Sequence, residues 1–87
     1  MLTTPVITEI KSTASGIYLA WNEIDTATSY RIYRADSATG TMTLLKTVGN
    51  TYTTDTTVED GKTYYYTVVA YNSGTGTVSE ESDQVYC

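Results

Sequence analysis

Apolar and polar residues alternate in short segments along most of the chain, and residues that favour turns separate the segments. Within 16–22, Ile17, Leu19 and Trp21 fall on one face, because successive side chains of a strand point to opposite sides. About seven strands are therefore predicted. They are expected at 6–10, 16–22, 28–35, 42–48, 51–54, 63–72 and 77–86.

The short spacing between these segments leaves no room for crossover helices, so neighbouring strands are expected to run antiparallel. This pattern is typical of an all-β sandwich. The chain has 87 residues, which fits a single domain with its core within 5–86. Loops are predicted at 36–41 and 72–77. Phenylalanine is absent, so the nine tyrosines and the one tryptophan must supply the large side chains of the core.

The segment at 61–72, GKTYYYTVVAYN, is the most tyrosine-rich part of the chain, and alternation divides its side chains between two faces. One face tapers to small residues and is expected to point into the core. It consists of Tyr64, Tyr66, Val68 and Ala70. The opposite face is expected to be exposed. It consists of Tyr65, Thr67, Val69 and Tyr71.

Several groups of residues together resemble the sequence pattern of a fibronectin type III domain. They are Pro5, Leu19-Ala20-Trp21, Tyr30-Arg31-Ile32, and the run 61–72, whose order of glycine, aromatic and valine residues matches the family closely. The resemblance extends from Pro5 to Tyr86, with 79–85 in the place of the last strand. It implies an immunoglobulin-like antiparallel β-sandwich of about seven strands. Trp21 stands on the second strand and the chain has a single cysteine, which separates it from antibody-type domains.

The resemblance also implies structural roles for individual residues. Tyr64 fits the tyrosine corner of such sandwiches, in which its hydroxyl bonds to backbone upstream, near Val58 or Asp60. A buried tyrosine hydroxyl needs a partner of this kind. Tyr52 and Asp55 are three residues apart, one more than the family pattern, so the facing of Tyr52 stays open. The residues expected to build the core are Trp21, Tyr30, Ile32, Tyr64, Tyr66 and Val68.

Charge and the missing histidine narrow the classes of function. Without histidine the commonest general base at neutral pH is missing, so the chain is not expected to be an enzyme. One cysteine and no histidine leave no zinc site, and no calcium-loop spacing occurs, so no metal or cofactor is expected. A formal net charge of −5 disfavours nucleic acid, which binds basic surfaces. No apolar run reaches the length of a membrane span, so membrane insertion is not expected.

Aromatic residues on the outer face of two strands carry the one specific ligand hypothesis. The third and sixth strands of a fibronectin type III sandwich are neighbours, which implies that Arg31 and Tyr33 lie beside Tyr65 and Tyr71. These four residues are called the tyrosine platform below. Sugar rings would stack on the tyrosines while Arg31 supplied hydrogen bonds. The alternative is that these side chains only stabilise an exposed sheet, by roughly 0.2–1 kcal/mol per cross-strand pair.

The resemblance is closest in style to modules of bacterial secreted proteins, especially carbohydrate-active enzymes, and of surface proteins. It implies a non-catalytic spacer or linker in a larger, secreted or cell-surface chain, with neighbouring domains as partners. One alternative is a carbohydrate-binding module that uses the tyrosine platform and has a polysaccharide as partner. No signal peptide is recognised ahead of Pro5.

A second alternative is a protein-interaction or adhesion module, or an engineered binding scaffold, that uses the loops at 36–41 and 72–77. These loops consist mainly of Ser, Thr and Gly and lack the aromatic anchors of selected binding loops, which counts against a scaffold. A monomer is expected. A disulfide dimer through Cys87 is the alternative, because a single cysteine has no partner within its own chain.

Overall fold

The computed structural model describes residues 2–87, which contain strands and turns and no helix that could span a membrane. The strands are β1 (Ile7–Thr13), β2 (Gly16–Trp21), β3 (Ser29–Ala35), β4 (Thr43–Val48), β5 (Tyr52–Asp55), β6 (Tyr65–Asn72), β7 (Thr77–Val78) and β8 (Val85–Tyr86). Each pairs antiparallel with its neighbours. One sheet has the order β1-β2-β5. The other has the order β4-β3-β6, with β7 and β8 both paired to β6. The predicted all-β sandwich is confirmed.

The core lies between the two sheets and is made by the alternate residues of β2, β3 and β6. Its buried members include Ile17, Leu19, Trp21, Ile24, Tyr30, Ile32, Tyr64, Tyr66, Val68 and Ala70. The rings of Trp21 and Tyr30 pack at a centroid distance of 5.7 Å and an angle of 59°. The hydroxyl of Tyr30 accepts a 2.9 Å hydrogen bond from the backbone N–H of Ile24, so the polar end of this buried ring is satisfied.

The last predicted strand, 77–86, is in fact two short strands separated by an irregular segment at 79–84. The backbone N–H groups of Ser79 and Ser82 donate to the carbonyls of Ala70 and Val68, both at 2.9 Å. In return, the hydroxyls of the two serines accept 2.9 Å hydrogen bonds from the N–H groups of Ala70 and Val68. Side chains thus replace the carbonyls that a regular strand would offer, and the edge of β6 stays satisfied without a regular ladder.

The outer face of β6 is more buried than its alternation predicts. Thr67 is 4% exposed and Val69 is 6% exposed, although both were expected on the surface. The reason is the irregular segment at 79–84, which folds back beside β6. The hydroxyl of Thr67 donates a 2.9 Å hydrogen bond to the carboxylate of Glu81. The prediction of a fully exposed face was therefore wrong for these two residues, while Tyr65 and Tyr71 are half-buried.

The structure decides the hydrogen-bond partner of Tyr64 and the direction in which Tyr52 points. The hydroxyl of Tyr64 accepts a 2.9 Å hydrogen bond from the N–H of Glu59, which lies between the two backbone positions expected from the sequence. Tyr52 points outward and is 53% exposed, whereas Asp55 points inward and is 1% exposed. Residues three apart on a strand lie on opposite faces, so the extra residue places the carboxylate inside and the ring outside.

Every outer edge of the two sheets departs from a regular strand. On β1 the register skips Thr8, and on β4 it skips Leu45, so both edges carry a bulge. β5 is short, and its Thr54 carbonyl accepts a 2.9 Å hydrogen bond from Lys46 Nζ of β4. The fourth edge is interrupted by Ser79–Ser82. Short, bulged and charged edges resist pairing with another chain.

The body is elongated, 40 × 25 × 18 Å, and the two ends of the described chain lie near opposite ends of β6. Cys87 exchanges backbone hydrogen bonds of 3.0 and 3.1 Å with Tyr64, just ahead of the start of β6. Leu2 instead packs near Val78, which pairs with Tyr71 at the other end of the same strand. The chain therefore enters and leaves at ends that the length of β6 separates.

Candidate functional site

A groove of about 480 Å³ crosses the outer face of the sheet that contains β3 and β6. The strands fix its shape, since Arg31 of β3 lies opposite Val69 of β6. We call it the outer groove. It is lined by Arg31, Tyr33, Met42, Val69, Val78, Ser79, Glu80 and Glu81. It is an open depression on the sheet surface and not an enclosed cavity.

The floor and one side of the outer groove are apolar. Val69 forms the floor and is buried, because the segment at 79–81 rises beside it. Val78 remains 52% exposed, and the half-buried Tyr33 and Met42 stand on the far side. Single exposed apolar side chains are ordinary on protein surfaces, but here Tyr33, Met42 and Val78 surround one depression and together offer an apolar surface to a ligand.

Charged groups of both signs line the same groove. The Arg31 guanidinium lies 4.1 Å from the centroid of the Tyr71 ring, a cation–π contact that holds the side chain in place. Glu81 is held by the hydrogen bond from Thr67, and Glu80 is exposed. Within residues 2–87 the ion pairs are Lys11–Glu9, Arg34–Asp55 and Lys62–Glu59. The charges of the groove are thus positioned without being paired to one another.

The structure separates the members of the tyrosine platform. Tyr33 lies opposite Thr67, and the rung formed by Arg31 and Val69 stands between Tyr33 and Tyr71. Tyr65 packs on Tyr86 instead, at a centroid distance of 5.6 Å and an angle of 37°. One face of Tyr71 is covered by Arg31. Of the four platform residues, the groove therefore brings together Arg31 and Tyr33, and its remaining lining comes from elsewhere. A ligand role for the platform stays a prediction.

Several lining residues of the outer groove were not selected by sequence reasoning. Met42 precedes β4 and Val78 ends β7, while Glu80 and Glu81 belong to the segment 77–86, for which the sequence predicts one continuous strand. The one signal in the sequence is the pair of serines at 79 and 82, because a spacing of three cannot put both on the same face of a regular strand. That spacing indicates a break in the strand, and the irregular segment at the break forms one wall of the outer groove.

A second cluster of polar groups lies in the interior, between the sheets. Asp55 Oδ2 accepts hydrogen bonds from Arg34 Nη1 at 2.8 Å and from the Tyr66 hydroxyl at 2.7 Å. Asp55 Oδ1 accepts from the backbone N–H and the hydroxyl of Thr57, at 3.0 and 2.6 Å. Arg34 also lies over the ring of Tyr64, 4.9 Å from its centroid. These residues are called the Asp55 cluster below.

The protonation states of the Asp55 cluster follow from its geometry. Burial by itself would raise the pKa of Asp55, but the hydrogen bonds from Thr57, Tyr66 and Arg34 outweigh it and lower the pKa to about 2. Burial and the hydrogen bond to Asp55 both raise the pKa of Tyr66. Asp55 is therefore an ionised, fully hydrogen-bonded carboxylate that joins β5 to β3 and β6. Its lone pairs are committed to structural contacts.

The fold can be compared with solved structures. An Fn3-like protein from Clostridium thermocellum is 29% identical, with a TM-score of 0.77, over 98% of this chain and 86% of its own. A mutated form of the domain FN3tt has a TM-score of 0.70 and 20% identity, over 99% of this chain and 92% of its own. The chain has the fold of a fibronectin type III domain. No family model and no curated protein matches its sequence.

Other similar structures carry this fibronectin type III fold inside longer proteins. A β-1,2-glucanase from Parabacteroides distasonis is 29% identical over all of this chain, with a TM-score of 0.87, and the match covers 12% of the glucanase chain. A pectate lyase from Erwinia chrysanthemi, solved with tetragalacturonic acid, has a TM-score of 0.81 over 95% of this chain and 28% of its own, and at 14% identity it shares the fold alone.

Proposed function

We propose that this fibronectin type III domain is a non-catalytic spacer and accessory module of a larger extracellular protein that acts on carbohydrate. The observation that carries the proposal is the match to the β-1,2-glucanase, which extends over the whole of this domain at 29% identity yet covers 12% of that enzyme. A domain of the same kind thus occurs as a small part of a carbohydrate-active chain.

The geometry supports a spacing role. Leu2 and Cys87 lie near opposite ends of β6, so segments joined at the two ends would be held apart rather than brought together. The core and the Asp55 cluster join the two sheets tightly, which makes the body stiff. Bulged and short edges favour a single copy over pairing through the sheets. These are the properties that a rigid, monomeric spacer needs.

The residues available for chemistry support a non-catalytic role. Histidine is absent from the sequence. The one deeply buried carboxylate, among the residues that the structure describes, belongs to Asp55, and its four hydrogen bonds leave it no oxygen lone pair directed at a substrate. Neighbouring domains of a longer chain would supply any catalytic groups.

Single-molecule energy transfer tests the spacing role. A donor fluorescent protein is fused ahead of residue 2 and an acceptor after residue 87, and the reference is a Gly/Ser linker of the same number of residues. We expect one narrow distance distribution for the domain, because its ends are fixed. The flexible linker should give a broad one, with a mean end-to-end distance of roughly 50 Å. A broad distribution for the folded domain would contradict a spacing role.

A further inference from the structure

The outer groove has a feature that a spacer does not require: an aromatic side chain stands on an apolar floor beside charged donors and acceptors that form no ion pair with one another. We propose that this groove binds a neutral polysaccharide, with a pyranose ring stacked on Tyr33 and its hydroxyls hydrogen-bonded by Arg31 and Glu81. The proposal adds a ligand site to the accessory module described above, and it takes from the proposed function only the carbohydrate context.

The first step of the argument is the apolar part of the groove. The floor is Val69, and Tyr33 and Val78 flank it on opposite sides. The negative face of an aromatic ring attracts the polarised C–H groups of a sugar, and stacking removes both surfaces from water. Tyr33 is the one platform tyrosine whose ring is not paired with another ring or a cation within residues 2–87. Tyr33 is partly exposed and lines the groove, so its ring is where a sugar would stack.

The second step concerns the polar groups. Arg31 has only N–H donors, while Glu81 and Glu80 have only acceptors when ionised. A hydroxyl both donates and accepts, so a ligand with many hydroxyls satisfies both ends of the groove with hydrogen bonds to charged groups, which are the stronger kind. Arg31 is fixed by Tyr71 and Glu81 by Thr67, so little side-chain freedom is lost on binding.

The third step selects a neutral sugar chain over an acidic one. Two carboxylates, Glu80 and Glu81, line the groove against one cation, Arg31. The chain as a whole carries a net charge of −5. A polyuronic acid would meet repulsion from both sources, whereas a neutral glucan would not.

Affinity gel electrophoresis provides the test. The domain is run in native gels that contain a soluble β-1,2-glucan, a mixed-linkage β-glucan or a galactomannan, with polygalacturonate as the acidic probe. We expect at least one neutral glycan to retard the domain and polygalacturonate to leave its mobility unchanged. The variants are Tyr33→Ala and Glu81→Gln. The matched control is Tyr52→Ala, which truncates an exposed tyrosine on the other sheet.

The Tyr33→Ala variant should raise the Kd for the retarding glycan roughly tenfold, which corresponds to about 1.4 kcal/mol of binding free energy. Glu81→Gln replaces an exposed side chain and keeps an acceptor for Thr67, so it tests the groove even if Tyr33→Ala does not fold. Tyr52→Ala should bind as the unmodified domain does. Retardation by none of the neutral glycans would overturn the proposal, as would equal retardation of all variants or retardation by polygalacturonate alone. Any of these outcomes leaves the energy-transfer test of the spacing role untouched.

Discussion

The hydroxyl of Tyr66 donates a 2.7 Å hydrogen bond to Oδ2 of Asp55, and this contact joins the two sheets of the sandwich. Tyr66 lies on β6 in one sheet and Asp55 on β5 in the other. Arg34, on β3, reaches the same carboxylate oxygen. A buried charge is costly unless it is hydrogen-bonded, so losing the carboxylate or one of its donors should destabilise the interior.

Removing the charge of Asp55 or the hydroxyl of Tyr66 should destabilise the domain. We expect Asp55→Asn to lower the free energy of unfolding by about 3 kcal/mol, because Arg34 and Tyr66 lose an ionised acceptor. Tyr66→Phe should lower it by about 1–2 kcal/mol. Urea unfolding of the two single variants and the double variant measures their coupling. The double variant should lose less than the sum of the two single losses, and strict additivity would contradict a direct interaction. Asp36→Asn, an exposed aspartate, is the control.

Stability should fall in acid because of the same carboxylate. The pKa of Asp55 is about 2 in the folded domain against an ordinary value of 3.8. A lowered folded-state pKa contributes stability above the unfolded value, and the contribution is lost as the pH falls toward the folded value. We expect a loss of about 2 kcal/mol between neutral pH and about pH 2 from this group. Unfolding curves measured across that range check it. Asp55→Asn should show a flatter dependence, and an unchanged slope would assign the acid sensitivity to other groups.

The hydroxyl of Ser82 takes the place of a strand carbonyl and should protect the Val68 amide from hydrogen exchange. Ser82→Ala removes the hydroxyl that accepts from the buried N–H of Val68. An unsatisfied buried donor costs about 1–3 kcal/mol, so we expect a loss of that size together with faster hydrogen exchange at the Val68 amide. Ser12→Ala, at an exposed position on β1, should change neither quantity. Unchanged exchange at Val68 in the Ser82 variant would mean that another acceptor replaces the hydroxyl.

Lys46 should act on both stability and solubility. Its ammonium group spans from β4 to the Thr54 carbonyl of β5, at the open side of the sandwich. Lys46→Met keeps the aliphatic stem but removes the hydrogen bond and the charge, so we expect a loss of about 1 kcal/mol and increased self-association. Thermal unfolding and light scattering measure the two effects. Lys62→Met removes an exposed lysine that lies outside the strands and should leave both nearly unchanged.

Sequence reasoning predicted the inward faces of β2, β3 and β6 well, because burial of one face imposes a strict alternation that is visible in the residues themselves. Trp21, Ile32 and Val68 are buried as that alternation requires. It also placed the partner of the Tyr64 hydroxyl to within one residue, since the contact is local in the chain. The length of the last strand was predicted less well, because the break at 79–84 depends on side chains that bond across to β6.

By itself, the sequence determined the all-β class, the core faces and the lack of histidine, since each depends on residue type and local spacing, and its resemblance to fibronectin type III domains implied the topology. Only the tertiary structure decided that Thr67 and Val69 are buried, that Arg31 covers Tyr71, and that Tyr33 lines a groove. It alone placed Asp55 against Arg34 and Tyr66. These relationships join residues distant in the chain, and their geometry follows from sheet register and from the path of 79–84, neither of which local alternation encodes.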